Sequence, residues 1–270
     1  MDLGLRDRVA LVTGAGQGVG RQIAIDLAAE GCIVLVNDLF EERVLTVVEQ
    51  VTAAGGRAHP AAVDITDADA VNALVAKAAA EHGPVEILVN NAGILPERRE
   101  AGGITPLFLD TTPEDWAKTV GLNVFGMMNC CHAVLPGMKA GRFGKIINIT
   151  SDSARVGEAR FAAYAAAKAA MIGFAKSLAR EHGRDCVNVN VISLAAVVHE
   201  GIHDGPLSPD ASPETDPILV KVMEGYPLSR GLKRLGRPDD VSGMVAFLAS
   251  ERAAFITGQT VGVNGGFAMV

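Results

Sequence analysis

The chain has 270 residues, of which 49% are hydrophobic and 20% are charged, and these proportions are typical of a folded globular protein. Its net charge of −7 argues against binding to nucleic acid, because a nucleic-acid-binding protein needs a basic surface. The sequence shows neither an apolar run that would span a bilayer nor a secretory signal, so we expect a cytoplasmic protein without a membrane partner.

Short apolar segments of strand length alternate with helical segments along nearly the whole chain. Arg8–Thr13 precedes a helix from about Val19 to Glu30, and Cys32–Asn37 precedes a helix from about Glu41 to Ala54. Strands buried on both sides and joined by helices form a parallel sheet. We therefore predict one α/β domain over residues 1–270, with a Rossmann-type, doubly wound sheet of about seven strands and helices on both faces. The later predicted strands are Ala58–Ile65, Val85–Asn90, Lys145–Thr150, Val187–Ser193 and Gln259–Val263.

The glycine-rich segment Thr13–Gly20 joins the first strand to the first helix. Glycines at Gly14, Gly18 and Gly20 allow the backbone to approach a pyrophosphate, and the helix N-terminus offers unpaired N–H groups. A plain tight turn is the alternative, but the strand–turn–helix context favours a dinucleotide site.

The second strand ends at Asp38, where a carboxylate can accept a hydrogen bond from the 2′-hydroxyl of a ribose. The same carboxylate would repel a 2′-phosphate. A basic residue at either of two nearby positions could bind this phosphate, but these positions are Gln17 and Leu39. The sequence therefore favours NAD over NADP, although a solvated loop acid remains an alternative.

Two segments interrupt the strand–helix alternation: Ile94–Thr111 and His199–Pro217, both rich in proline, glycine and acids. Loops of this length are usually functional or mobile. Both follow strands, so in a doubly wound sheet they lie at the carboxyl edge, where ligands bind. Between them, Thr112 and Pro113 predict the start of a long middle helix.

An alanine-rich helix, predicted from about Glu158, contains Tyr164 and Lys168. Residues four apart share one face of a helix, so the phenol and the ammonium are neighbours. Core packing beside a snorkelling lysine is one interpretation. The other is an acid/base pair, in which the lysine charge lowers the tyrosine pKa from its ordinary value of about 10.

Taken together, these motifs resemble the short-chain dehydrogenase/reductase family over essentially all 270 residues. The segments around Ser151 and from Pro227 to the end are most similar to members that act on 3-hydroxyacyl or cyclic hydroxyacyl thioesters. The motifs shared with the family are Thr13–Gly20, Asp64, Asn90–Gly93, Asn123, Ser151 and the Tyr164–Lys168 pair.

The resemblance implies an NAD-dependent oxidoreductase that interconverts a secondary alcohol and a ketone, such as a 3-hydroxyacyl thioester, a cyclic alcohol or a steroid-like compound. It implies that Tyr164 is the general acid/base, that Ser151 binds the substrate oxygen, and that Lys168 also holds the nicotinamide ribose. Asn123 would hold a water that connects the lysine to solvent, and Asp64 would contact the adenine. The expected cofactor-binding residues are Gly14, Gln17, Gly18, Val19, Gly20, Asp38, Leu39, Asp64, Ile65, Asn91, Ala92, Gly93, Tyr164, Lys168, Val197 and His199.

One segment departs from the family pattern. Leu194 and Ala195 replace the usual Pro-Gly after the sixth strand, and His199 stands where a threonine is expected. The Val197 N–H can still hold the nicotinamide carboxamide, because that bond needs no particular side chain. His199 either replaces the threonine contact or begins a mobile loop, and we favour the loop.

Residues 199–226 are predicted to form a lid over the substrate, and the family is commonly tetrameric. The alanine-rich helix is apolar nearly all round, which predicts a subunit interface in a homotetramer or dimer. Arg98 and Arg99 either meet an anionic group, such as a phosphate of CoA, or lie solvated between acids, which we favour. Further substrate contacts are expected from Ile94, Leu95, Ser153 and Val156.

The four cysteines lack metal-ligand spacing, and no cluster of ligands suggests a metal, so we expect reduced thiols and no metal site. These cysteines are Cys32, Cys130, Cys131 and Cys186.

Two other functions stay open. One is a catalytically silent NAD(H)-binding sensor or scaffold, motivated by the altered Leu194–His199 segment. The other is an epimerase or dehydratase acting on a sugar nucleotide, although those relatives usually have a larger C-terminal substrate domain.

Overall fold

The apolar segments of the sequence form the strands of a parallel sheet in a computed structural model that describes residues 2–95, 106–203 and 205–270. The seven strands are arranged in the order β3-β2-β1-β4-β5-β6-β7, and every neighbouring pair is parallel. This confirms the predicted Rossmann-type fold. The strands are β1 Val9–Val12, β2 Ile33–Val36, β3 Arg57–Pro60, β4 Ile87–Asn90, β5 Gly144–Ser151, β6 Val187–Leu194 and β7 Thr260–Val263.

Helices cover both faces of the sheet. In β1, Leu11 points into a core shared with α3, α5 and α7, whereas the next residue, Val12, points into a core shared with α1, α2 and α10. Burial on both faces explains why the strands are continuous apolar runs. The helices are α1 Gly18–Ala29, α2 Glu41–Ala53, α3 Ala68–Glu81, α4 Pro113–Val120, α5 Met127–Gly141, α6 Ser153–Val156, α7 Ala162–His182, α8 Pro217–Glu224, α9 Pro227–Leu232 and α10 Pro238–Ala249.

The chain changes direction across the sheet between β1 and β4. These strands are neighbours, but β1 continues outward to β2 and β3, whereas β4 continues in the opposite direction to β5, β6 and β7. The connections at their carboxyl ends therefore diverge and leave a crevice, which is where open α/β sheets bind ligands.

The long middle helix begins where the sequence predicts it but is not continuous. Thr112 and Asp115 form a reciprocal capping box, and Pro113 occupies the first position of α4. A single π-helical turn, Gly121–Gly126, then separates α4 from α5 and contains Asn123. Such turns shift the register of a helix and occur frequently at functional sites.

The alanine-rich helix begins later than predicted, at Ala162 rather than near Glu158. Gly157 and Arg160 have φ angles of +75° and +71°, a left-handed conformation that is incompatible with a right-handed helix. The segment predicted to be a lid is also not only a loop, because it contains α8, and α9 follows directly after it.

None of the helices in the described ranges is long and apolar enough to cross a membrane. Those ranges also contain no group of three or more His, Cys, Asp or Glu residues arranged to hold a metal ion. All four cysteines are free thiols, and Cys186 is exposed whereas the other three are buried.

Candidate active site

The glycine turn between β1 and α1 is packed too closely to accept side chains. Gly14 has a φ of +60°, and a Cβ there would lie 2.8 Å from the Cα of Ala92. A Cβ on Gly20 would lie 2.3 Å from the carbonyl oxygen of Gly14. The turn therefore carries no side chains at these two positions, as a phosphate site at the N-terminus of α1 requires.

The segment after β4 holds this turn in place. Asn91 donates from its side-chain nitrogen to the carbonyl oxygens of Thr13 and Gly14, each at 3.0 Å. The Thr13 hydroxyl in turn accepts from the backbone N–H groups of Asn91 and Ala92, at 3.0 and 3.2 Å. Two expected cofactor residues are thus brought against the glycine turn at the crevice.

Asp38 lies at the end of β2 beside the same turn. Its carboxylate accepts from the backbone N–H of Gly16 at 3.1 Å and from that of Phe40 at 3.2 Å. Two neighbours of this corner, Arg43 and Phe40, were not predicted from the sequence. A Cβ on Gly16 would lie 2.6 Å from the Cβ of Arg43, and the Arg43 guanidinium stacks on the ring of Phe40. Leu39, also at this corner, is 54% exposed.

The expected adenine contacts follow β3 on the far side of the crevice. Asp64 is exposed, and one of its carboxylate oxygens accepts from the N–H and hydroxyl of Thr66, each at 2.8 Å. Ile65 is buried, and its carbonyl accepts from Asn129 at 3.0 Å. A Cβ on Gly126 would lie 2.8 Å from Ile65, so the π-helical turn packs directly against this corner.

Tyr164, Lys168 and Ser151 lie at the carboxyl end of β5. Lys168 donates to the carbonyl of Ile149 at 2.8 Å, and Thr150 donates from its hydroxyl to the carbonyl of Lys168 at 2.9 Å. These bonds fasten α7 to the strand that ends at Ser151. The Lys168 ammonium lies 5.7 Å from the centre of the Tyr164 ring, which confirms that the pair shares one face of the helix.

Lys168 is buried so deeply that it does not behave as an ordinary lysine. Only 3% of its surface is exposed, and desolvation lowers its pKa from 10.5 to about 7. The prediction that the lysine lowers the tyrosine pKa relies on a charged ammonium. Burial of Lys168 disfavours that charged form.

Asn123 and Gly93 surround the Lys168 ammonium. A Cβ on Gly93 would lie 2.6 Å from Nζ of Lys168 and 2.7 Å from Oδ1 of Asn123, so only glycine fits there. The Asn123 side chain donates to the carbonyls of Gly93 and Thr119, at 3.1 and 3.0 Å. Its Oδ1 is buried without a hydrogen-bond partner among the described residues, next to the lysine.

The Ser151 hydroxyl is oriented by a second serine. Ser153, predicted to contact substrate, is only 2% exposed; its hydroxyl lies 3.0 Å from the Ser151 hydroxyl, and its backbone N–H donates to that oxygen at 3.2 Å. Ser153 therefore acts on Ser151 and offers little surface to a substrate.

A buried carboxylate that sequence reasoning missed anchors the same strand end. Asp152 is fully buried and accepts hydrogen bonds from the hydroxyl of Ser193 and from the side chain of Asn264, the latter at 2.6 Å. These partners come from β6 and the end of β7. The network fixes three strand ends around Ser151, and no local pattern in the sequence indicates it.

The segment that departs from the family pattern lies across the glycine turn. Val197 pairs with Gly236 in an isolated parallel bridge. A Cβ on Gly18 would lie 2.7 Å from Nδ1 of His199, so the imidazole packs on the turn and does not simply begin a loop. His199 Nδ1 also accepts from the N–H of Gly201 at 3.1 Å.

The expected substrate contacts open toward the same edge. Ile94 and Val156 are 43% and 46% exposed, and Leu95 is half-buried. Arg98 and Arg99, the two candidates for an anionic group, lie outside the residues that the structure describes.

The chain is similar to known proteins. The family described as Enoyl-(Acyl carrier protein) reductase matches residues 14–268. The 3-oxoacyl-[acyl-carrier-protein] reductase FabG of Staphylococcus aureus is 36% identical over 261 residues, which cover 96% of this chain and 98% of that protein. The chain belongs to the short-chain dehydrogenase/reductase family. As a member of this family it is an oxidoreductase, and the resemblance predicted from the motifs is confirmed.

Two further comparisons extend the match. Nodulation protein G of Azospirillum brasilense is 36% identical over 267 residues, covering 97% of this short-chain dehydrogenase/reductase and 98% of that protein. The crystal structure of a 3-oxoacyl-[acyl-carrier protein] reductase from Brucella melitensis with bound NAD is 32% identical. The match covers 98% of this chain and 94% of the Brucella chain, with a TM-score of 0.84.

Proposed function

We propose that this enzyme interconverts a 3-oxoacyl thioester and the corresponding 3-hydroxyacyl thioester with NAD(H). The proposal rests on one observation. Tyr164, Lys168 and Ser151 lie together at the end of β5, beside a glycine turn that accepts no side chains. The printed names of the Staphylococcus and Brucella relatives support the substrate class, and the NAD in the Brucella structure supports the cofactor.

The residues at the crevice fit a dinucleotide. Gly14, Gly18 and Gly20 place no side chains at the N-terminus of α1, where a pyrophosphate would be held. Asp38 would bind the adenosine ribose, and the unpartnered Oδ1 of Asn123 provides an acceptor for a water beside Lys168. When bound, the nicotinamide supplies the hydride for reduction and accepts it for oxidation.

In the proposed reduction, Ser151 donates a hydrogen bond to the ketone oxygen and stabilises negative charge there. Ser153 holds the Ser151 hydroxyl in that orientation. Tyr164 then gives its phenolic proton to the same oxygen, and Lys168, whose pKa burial lowers to about 7, restores it. Oxidation of the alcohol follows the same path in reverse.

The substrate class is tested with purified enzyme, NADH, and a panel of 3-oxoacyl thioesters, cyclic ketones and steroid ketones. We expect the thioesters to give the highest kcat/KM. A cyclic or steroid ketone that is turned over faster than every thioester would move the proposal to that class. Absence of turnover with NADH still bound would refute the proposed reaction and favour a silent cofactor-binding protein.

The Asp38 carboxylate leads us to expect a preference for NADH over NADPH. In a variant with Asp38→Ser and Leu39→Arg, the repulsion is removed and a cation is added, so the ratio of kcat/KM for NADPH to that for NADH is expected to rise about 100-fold. Glu42→Gln, which removes one negative charge from the neighbouring helix, is the control and should leave the ratio unchanged. A wild-type enzyme that prefers NADPH would contradict the role given to Asp38.

We further propose that the enzyme is a homotetramer or dimer through α7. The sequence predicted burial on every face of this helix, but one chain buries only the face toward the sheet. We expect light scattering after size-exclusion chromatography to give a mass of two or four chains, and a monomer would contradict the interface. The exposed residues of α7 between Ala162 and Gly173 are all small: Ala162, Ala166, Ala169, Ala170 and Gly173.

Residues 199–226 remain the proposed substrate lid, and residues 1–270 the proposed single domain. Both proposals are supported by the sheet that the strands form and by the position of α8 and α9 after β6. A location in the cytoplasm also stays a prediction.

A further inference from the structure

A glutamate of this chain occupies the N-terminus of α1. The carboxylate of Glu200 accepts a hydrogen bond from the backbone N–H of Gly18 at 3.0 Å and forms an ion pair with the guanidinium of Arg21 at 2.7 Å. Gly18 and Arg21 belong to the first turn of the helix, whereas Glu200 comes from the segment after β6. An internal anion thus lies where the unpaired N–H groups and the helix dipole favour negative charge.

Neighbouring residues hold the Glu200 segment against the turn. His199 packs on Gly18, as its Nδ1 would lie 2.7 Å from a Cβ there. A Cβ on Gly201 would lie 2.8 Å from Nε2 of Gln17, so this backbone also touches the turn. Three consecutive residues therefore lie against the junction between the glycine turn and α1, at Gln17 and Gly18.

The state of the carboxylate agrees with this contact. Burial raises the pKa of Glu200, but the hydrogen bond from the Gly18 N–H and the charge of Arg21 outweigh it, so the pKa lies below its ordinary value. Glu200 is therefore ionised at neutral pH. A carboxylate with two oxygens resembles one phosphate group in charge and in its demand for donors.

We propose that Glu200 is an internal competitor of the cofactor pyrophosphate and sets the affinity of this enzyme for dinucleotides. This inference rests on the proposed dinucleotide site at the glycine turn. The Gly18 N–H and the Arg21 guanidinium exchange the carboxylate for a phosphate when the cofactor binds, and the Glu200 segment moves off the turn. Arg21 thereby becomes a phosphate-binding residue.

The exchange has a quantitative consequence. If the binding-competent form is a fraction of the molecules, the apparent dissociation constant rises by the reciprocal of that fraction. A segment closed in nine molecules of ten would weaken binding about tenfold. The effect applies only to ligands that carry a phosphate at this position, because a nucleoside does not compete for the same donors.

The test measures dissociation constants for NADH, ADP-ribose and adenosine by titration calorimetry with the wild type, Glu200→Gln and Glu200→Ala. We expect both variants to bind NADH and ADP-ribose about tenfold more tightly, with adenosine unchanged. Glu30→Gln, the same substitution beside the opposite end of α1, should bind all three as the wild type does. Equal or weaker binding of NADH by both Glu200 variants would overturn the proposal.

A measurement without ligand separates this inference from the proposed function. In the free protein, hydrogen exchange of peptides that contain Gly18 should be faster in Glu200→Ala than in the wild type, because the N–H loses its acceptor. Unchanged exchange would overturn the contact itself. If exchange changes but no variant binds NADH or ADP-ribose, the proposed dinucleotide function fails instead.

Discussion

Replacement of Tyr164 by phenylalanine is expected to lower kcat by about 10²- to 10⁴-fold, because it removes the group that we propose transfers the hydroxyl proton. The ring contact with Phe161, at 5.9 Å between centroids, is kept, so the fold and the binding of NADH should be preserved. Steady-state rates of NADH oxidation with the best ketone of the panel, together with an NADH titration, measure both quantities.

The other tyrosine of the chain provides a matched control. Tyr226 is buried, its hydroxyl accepts from the N–H of Ala196 at 3.2 Å, and its ring stacks on Phe267. Tyr226→Phe removes the same atom and one hydrogen bond, which should cost about 1 kcal/mol of stability and leave most of the turnover. Comparable losses of kcat in the two variants would mean that Tyr164 has no special role in proton transfer.

Replacement of Lys168 by methionine is expected to abolish turnover and also to stabilise the ligand-free protein at neutral and acidic pH. The activity is lost because the proton supply to Tyr164 is removed. The stability rises because a buried ammonium is replaced by an apolar side chain of similar length. We expect a gain on the order of 2 kcal/mol at pH 6, after the lost hydrogen bond to Ile149 is taken into account.

The pH dependence of this gain has a definite sign. Burial lowers the Lys168 pKa from 10.5 to about 7, so between these values the unfolded chain binds a proton that the folded chain has lost. The contribution of Lys168 to the free energy of unfolding of the wild type therefore rises with pH between these two values. The advantage of Lys168→Met should be largest below pH 7 and disappear toward pH 10.5, as measured by thermal melts.

A variant of a second buried lysine distinguishes an effect on stability from an effect on catalysis. Lys145 is 2% exposed at the start of β5, and burial also lowers its pKa. It donates to Asn188 at 2.7 Å, at the edge of the sheet opposite the site. Lys145→Met should change stability but retain turnover. If Lys168→Met is active while Lys145→Met is not, the catalytic role of Lys168 is wrong.

The fold could be predicted because its signals are local. Strands buried on both faces are continuous apolar runs, and the capping box at Thr112 marks a helix start within four residues. The π-helical turn Gly121–Gly126 could not be predicted, since its residues suit an ordinary helix equally well. The late start of α7 depends on positive φ angles, one of them at Arg160, that its residue type does not indicate.

Without the family resemblance, which also indicated Ser151 and Asn123, the site was predictable only where its residues lie in one motif. Tyr164 and Lys168 are one helical turn apart, and the glycine turn is a single segment. The bonds that support them join distant parts of the chain: Asn264 is 112 residues from Asp152, and Glu200 is 182 residues from Gly18. Such pairs depend on the strand order of the sheet, and no periodicity in the sequence specifies them.

Transfer of deuterium from NADH labelled at C4 of the nicotinamide tests the central claim most directly. The enzyme is supplied with the labelled cofactor, in the stereoisomer that it uses, and a 3-oxoacyl thioester, and the product is analysed by mass spectrometry. We predict a single deuterium on the carbinol carbon of a 3-hydroxyacyl thioester, formed by the wild type and not by Tyr164→Phe. Consumption of the thioester without deuterium in the product, from either stereoisomer, would contradict the account.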